Sequence, residues 1–172
     1  LLAKDMDYWA LGHIHKRAVL NDNPPIIYPG SLQGLSAKET GEKGFYIVTL
    51  NHGHTKTEFV KTSGILWETA ELDVTGVETF DELVKRAEQK KEEHRKKKDA
   101  VLLRLVLTGE ATLMPQTESV LEVLRTLEDE RENFVWVTEI RNAVSLPLDR
   151  RKLAGSSHFI GDIIRLIDQK QT

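Results

Sequence analysis

The sequence predicts a mixed α/β protein in two parts, strands joined by turns and then a small βαβαβ unit, followed by an amphipathic C-terminal helix. Three observations carry this. Short apolar runs within residues 1–63 are each stopped by Gly, Pro or Asn. From Leu66 to Ile140 the hydrophobic period alternates between that of a strand and that of a helix. Beyond Pro147 apolar residues recur at helical spacing.

In chain order, Asp7-Tyr8-Trp9-Ala10-Leu11 is a short apolar strand halted by Gly12, and Ile26-Ile27-Tyr28 is halted by Pro29-Gly30. Phe45 to Leu50 and Thr55 to Val60, with Asn51-His52-Gly53-His54 between them, read as an antiparallel hairpin. Pro29 to Gly44 is a long aperiodic loop, and loops of that length are often functional. In the next block Leu66, Ala70, Leu72 and Val74 share one strand face. Thr79-x-x-Glu82 is a capping box that opens a helix with the stripe Phe80, Leu83, Val84 and Ala87. Val101 to Thr108 places Leu103, Leu105 and Leu107 on one face; Val120, Val123, Leu124 and Leu127 mark a second helix; Phe134 to Ile140 is the third strand. Crossovers of this length favour a small sheet with both helices on one face.

The chain has 172 residues, no Cys and no apolar run long enough to span a bilayer, so neither a disulfide scaffold nor a membrane protein is expected, and a cytoplasmic location is the default. The formal net charge of -3 supplies no overall attraction to nucleic acid. Residues 1–63 carry 7 bases and 6 acids, residues 64–141 carry 12 and 18, and residues 142–172 carry 5 and 3. These blocks are the expected units, the last being a linker and helix. The chain opens on Leu1-Leu2 without an initiator Met, as a piece of a longer protein would.

Gly12-His13-Ile14-His15 follows the first strand. Two His one residue apart can project to one side of extended backbone, and Gly12 is expected to supply the sharp turn that aims them at one point. Such a pair can ligate one metal, or one ion each of a dinuclear centre whose ions lie about 3.5–4 Å apart. Imidazole suits Mn, Fe or Zn better than Mg.

Asp-Tyr-x-Ala-Leu-Gly-His-Ile-His-Lys over residues 7–16, Ile27-Tyr28-Pro29-Gly30-Ser31-Leu32-Gln33, and Glu39-Thr40-Gly41-Glu42-Lys43-Gly44-Phe45-Tyr46 together resemble the SbcD family of calcineurin-like metallophosphoesterases, and within it the YhaO-like DNA repair exonucleases. The resemblance implies that residues 1–63 are the last strands of a phosphoesterase β-sandwich and residues 64–141 its capping domain. It implies that His13 and His15 are the final two ligands of a dinuclear Mn centre, one per ion, with Lys16 and Arg17 near the incoming phosphodiester. It also implies DNA as substrate and an SbcC-like ATPase as partner, and a homodimer is a further expectation. The family's Asp-x-His, Gly-Asp and Gly-Asn-His motifs precede Gly-His-x-His, and this chain begins only 11 residues before it. With one ligand per ion, the isolated chain is expected to be inactive.

Other polar signals are weaker. Asn51-His52-Gly53-His54 reads as a turn, His94 as a solvated residue of a Lys/Glu-rich helix, and His158 and Gly161-Asp162 as parts of a helical segment. The run from Lys85 to Lys98 has 8 bases and 3 acids, so Lys90, Lys91, Lys96, Lys97 and Lys98 are candidate phosphate contacts, with an exposed, self-paired helix as the alternative. At the C-terminus, Ile160, Ile163, Ile164 and Ile167 fall at i, i+3, i+4 and i+7, flanked by Phe159 and Leu166. That face needs a cover, either the chain's own core or a partner groove.

Overall fold

In the computed structural model, the described residues are 1–147 other than 52, 98, 113–114 and 129–132, together with residue 159. A 3-10 turn (Leu2–Lys4) leads into strands β1 (Trp9–Ala10), β2 (Ala18–Asp22), β3 (Pro25–Tyr28), β4 (Gly44–Asn51) and β5 (His54–Lys61). The βαβαβ unit follows as β6 (Ile65–Asp73), α1 (Phe80–Arg95), β7 (Ala100–Thr108), α2 (Thr117–Thr126) and β8 (Val135–Asn142). The mixed α/β class is as the sequence predicts. None of the described helices is long and apolar enough to cross a membrane.

The first strands make two small sheets. β1 runs parallel to β3 and β2 antiparallel to it, in the order β1-β3-β2, while β4 and β5 form the expected hairpin with Asn51 opposite His54. Gly53 at the turn has φ 82°, a left-handed conformation that glycine adopts without a steric penalty. β1 is shorter than expected, and β2 has no counterpart in the sequence reading. Its run Ala-Val-Leu-Asn-Asp lacks alternation, and it becomes a strand by pairing with the apolar β3, whose Ile26 and Ile27 are buried.

β6, β7 and β8 are all parallel and lie in chain order, so both crossovers step the same way and place both helices on one face. The core lies between: Ala70 and Leu72 of β6, Leu103, Leu105 and Leu107 of β7, and Val135 and Val137 of β8 pack against Leu83 and Ala87 of α1 and Val120 and Leu124 of α2. Each fully buried Leu or Val contributes about 1.5–3 kcal/mol by leaving water. At the start of α1, Thr79 Oγ1 accepts from Glu82 N–H at 3.2 Å, whereas the Glu82 carboxylate accepts from Glu78 N–H, one residue outside a standard capping box. Leu127 lies past the end of α2 and is exposed, so the inner stripe of that helix is Val120 and Leu124 with Leu121 beside them.

The inward stripe of α1 does not end at Ala87. It continues through Lys91 and His94, both buried, which corrects the expectation of a solvated His94. The Nζ of Lys91 lies 2.9 Å from Glu128 Oε2 and 3.1 Å from Glu88 Oε1, and donates to Leu124 O at 3.0 Å. Arg95 clamps the same Glu128 with two hydrogen bonds of 2.8 and 2.7 Å, and Val135 N–H adds a third. Burial alone would raise the Glu128 carboxyl, but these donors outweigh it and bring its pKa down to about 2. His94 Nδ1 meets Glu68 Oε2, which also accepts from Lys97 Nζ at 2.8 Å. Glu68 therefore occupies the inner face between Leu66 and Ala70, a polar break in the strand's apolar alternation.

Candidate functional site

β1 ends at Ala10, and the segment from Leu11 to Arg17 turns back before β2. The residue in left-handed conformation there is His13, with φ 75°, and not Gly12, where an added Cβ would meet nothing within 4 Å. This corrects the role expected of Gly12. A non-glycine residue held at positive φ costs roughly 1–2 kcal/mol. The bend brings His13 and His15 to one open pocket of about 390 Å³, lined also by Ile14, Lys16, Lys38, Glu39, Thr40 and Lys43.

His15 is the better fixed of the pair. Its carbonyl accepts from Ser31 N–H at 3.3 Å and from Lys43 Nζ at 3.3 Å. Gly30, with φ 83°, lies so close that a Cβ there would sit 2.9 Å from that carbonyl oxygen. The imidazole Nδ1 of His15 is 2.7 Å from Glu39 Oε1, and Glu39 Oε2 accepts from Leu35 N–H at 3.1 Å. The hydrogen bond from His15 and then the one from Leu35 hold the Glu39 carboxyl below its ordinary range. An ionised carboxylate only accepts, so Nδ1 is the donor in this contact, an arrangement that in a neutral imidazole leaves the Nε2 lone pair for a ligand. A carboxylate behind a histidine is the usual outer support of a metal-binding imidazole, and the donor set fits a divalent metal in this respect. Among the described residues no group of three or more His, Cys, Asp or Glu converges on one point.

Of the cations expected near the phosphodiester, Lys16 lines the pocket, while the Arg17 guanidinium lies 3.9 Å from the Phe59 ring centroid and is not among the lining residues. Sequence reasoning assigned no role to Lys38, Glu39 or Lys43. The loop they share stands out in the sequence by its length alone, since the partner of Glu39, His15, is 24 residues distant.

The basic run is largely occupied within the βαβαβ unit. Lys91 is buried, so it is not a surface cation; Lys90 pairs with Glu93 at 2.9 Å and Lys97 with Glu68, while Lys96 is exposed. A second pocket, of about 290 Å³, lies where the 40–41 turn meets β6 and the end of α1, and is lined by Thr40, Gly41, Trp67, Glu68, Thr69, His94 and Lys97. Phe159 is 76% exposed. Lys98, Ile160, Ile163, Ile164 and Ile167 lie outside the described residues, as do His52, His158, Gly161 and Asp162.

A paired-histidine pocket rimmed by lysines, beside a βαβαβ unit, describes a candidate metal centre for an anionic substrate. Residues 67–145 match the family model "Metallophosphoesterase YhaO, middle domain". The chain is also 37% identical, in an alignment of 176 positions that covers 98% of its length, to the uncharacterized metallophosphoesterase YhaO of Bacillus subtilis (strain 168). It spans 42% of that relative's length. These likenesses support a metallophosphoesterase family for the chain.

Proposed function

We propose that the chain is the C-terminal part of a Mn-dependent DNA repair exonuclease of the SbcD type, in which His13 and His15 each hold one of two ions. The observation that carries this is the shared pocket of His13 and His15, with the Nδ1 of His15 taken by Glu39 and lysines on the rim. The ions, when bound, would activate water and offset the charge of the phosphodiester. The chain's own residues do the rest: His13 and His15 hold, Glu39 orients, and Lys16 and Lys38 attract the phosphate. Lys43 is 5% exposed and braces the His15 carbonyl, so its part is structural first. Without ligands from elsewhere in the protein the isolated chain does not turn over substrate.

Two alternative readings are separated from this one by the tests that follow. The exposed Phe159 suits a C-terminal segment that docks an SbcC-like ATPase, with the βαβαβ unit orienting DNA. A metallophosphoesterase acting on small phosphate esters would use the same His pair. The test is hydrolysis of linear duplex DNA and of a small phosphodiester by the full-length protein, with and without Mn. Mn-dependent digestion of DNA, lost on His13→Ala, is expected. Turnover of the small ester alone would overturn the nuclease reading.

A further inference from the structure

We propose that Glu39 is a positioning residue that fixes the His15 imidazole with Nε2 directed outward, and that strand β6 holds Glu39 in place through Trp67. The metal half of this inference rests on the reading above; the positioning half does not.

Residues 29–43 contain no helix or strand, so a carboxylate there has no regular element to hold it. What holds it is the neighbouring sheet. Trp67 of β6 donates from Nε1 to Gly34 O at 3.0 Å and accepts at its own carbonyl from Gly41 N–H at 3.2 Å. Gln33 Nε2 reaches Ile65 O, at the start of the same strand, at 2.7 Å. One strand therefore fastens the loop on both sides of Glu39. Inside that bracket the loop closes on itself, since Leu35 N–H donates to Glu39 Oε2. A Cβ on Gly34 would lie 2.7 Å from Glu39 O and 3.1 Å from Trp67 Cδ1, so the approach needs glycine. The remaining carboxylate oxygen, Oε1, is left for His15 Nδ1. Residue 67 thus bears on the ring of residue 15 through two hydrogen bonds to the loop and one carboxylate. The consequence is that the βαβαβ unit sets the tautomer and aim of the histidine as well as flanking its pocket.

The tautomer can be read without metal or substrate, from long-range ¹H-¹⁵N correlations of the histidine rings in residues 1–172 at a pH where His15 is neutral. The native chain should show His15 mainly as the Nδ1–H form. Glu39→Ala should move it toward the Nε2–H form that a free ring favours in water, and Trp67→Phe, which keeps the bulk but loses the indole donor, should move it part of the way. Glu39→Gln, which keeps an acceptor oxygen, should retain a Nδ1–H majority. The βαβαβ amide resonances report folding of each variant. Titration of the full-length protein, which supplies the remaining ligands, with Mn(II), followed by paramagnetic broadening of the His15 ring signals, should show Glu39→Ala binding about 10–100-fold more weakly. A native His15 in the Nε2–H form, or a Glu39→Ala variant with unchanged tautomer, overturns the proposal. The expected tautomer change, with no broadening by Mn in any form of the full-length protein, upholds the positioning role and counts against the metal-centre reading instead.

Discussion

Replacing Glu128 by Gln removes the charge that two buried or half-buried cations share. Its side chain is 3% exposed, Lys91 is 1% exposed at the side chain, and Arg95 makes a two-point contact with it. Taking one partner from a buried ion pair costs about 3–5 kcal/mol, because the other charge stays buried without it. The depressed pKa gives a separate measure. A carboxyl at about 2 when folded and 4.5 in its reference state contributes stability that is fully present above pH 4.5 and lost as pH falls toward 2. The shift corresponds to about 3 kcal/mol, of which roughly 1 kcal/mol disappears between pH 5 and pH 3.5. Urea unfolding of residues 1–172, followed by tryptophan fluorescence, should therefore show a loss of about 3 kcal/mol or more for Glu128→Gln at pH 7. The gap between the native chain and the variant should narrow by about 1 kcal/mol from pH 5 to 3.5. A loss under 1 kcal/mol at pH 7, or a gap that stays constant with pH, would refute the argument that Glu128 is ionised and stabilising in the fold.

Two more predictions test the pocket and the basic run. Gly30→Ala forces a side chain into left-handed backbone and against the His15 carbonyl, so the His13 to Arg17 amide signals should shift and stability should fall by about 1–2 kcal/mol or more in urea unfolding. Because Lys96 is exposed and Lys91 is buried, Lys96→Glu should weaken DNA binding by the full-length protein and reduce its log-log salt slope by about 0.9. Lys91→Met should leave that slope unchanged, and an unchanged slope for Lys96→Glu would make the helix a solvated surface only.

The strands and helices of the βαβαβ unit were legible because their apolar residues keep one period each: Leu103, Leu105 and Leu107 alternate, and Leu83 and Ala87 are a helical turn apart, and all five are buried. The same method misread the second half of α1. Lys91 and His94 continue the buried stripe at helical spacing, yet their burial depends on Glu128 and Glu68, which lie 37 and 26 residues away and whose pairing no local pattern announces. β2 was missed for a related reason, since it owes its form to β3. At the site, the His pair was visible as a motif and the loop as a long aperiodic stretch. That Glu39 of the loop meets His15, and that His13 takes the positive φ a reader assigns to Gly12, are properties of the folded backbone.

In the proposed centre His13 and His15 are metal ligands, His15 through Nε2. Crystals of the full-length protein grown with MnCl₂ and measured at the Mn absorption edge test it directly. Anomalous density is expected at both imidazoles, with the His15 peak on the Nε2 side and Glu39 still on Nδ1. Density at neither ring, or a Mn ion bound to His15 Nδ1 with Glu39 displaced, would contradict it.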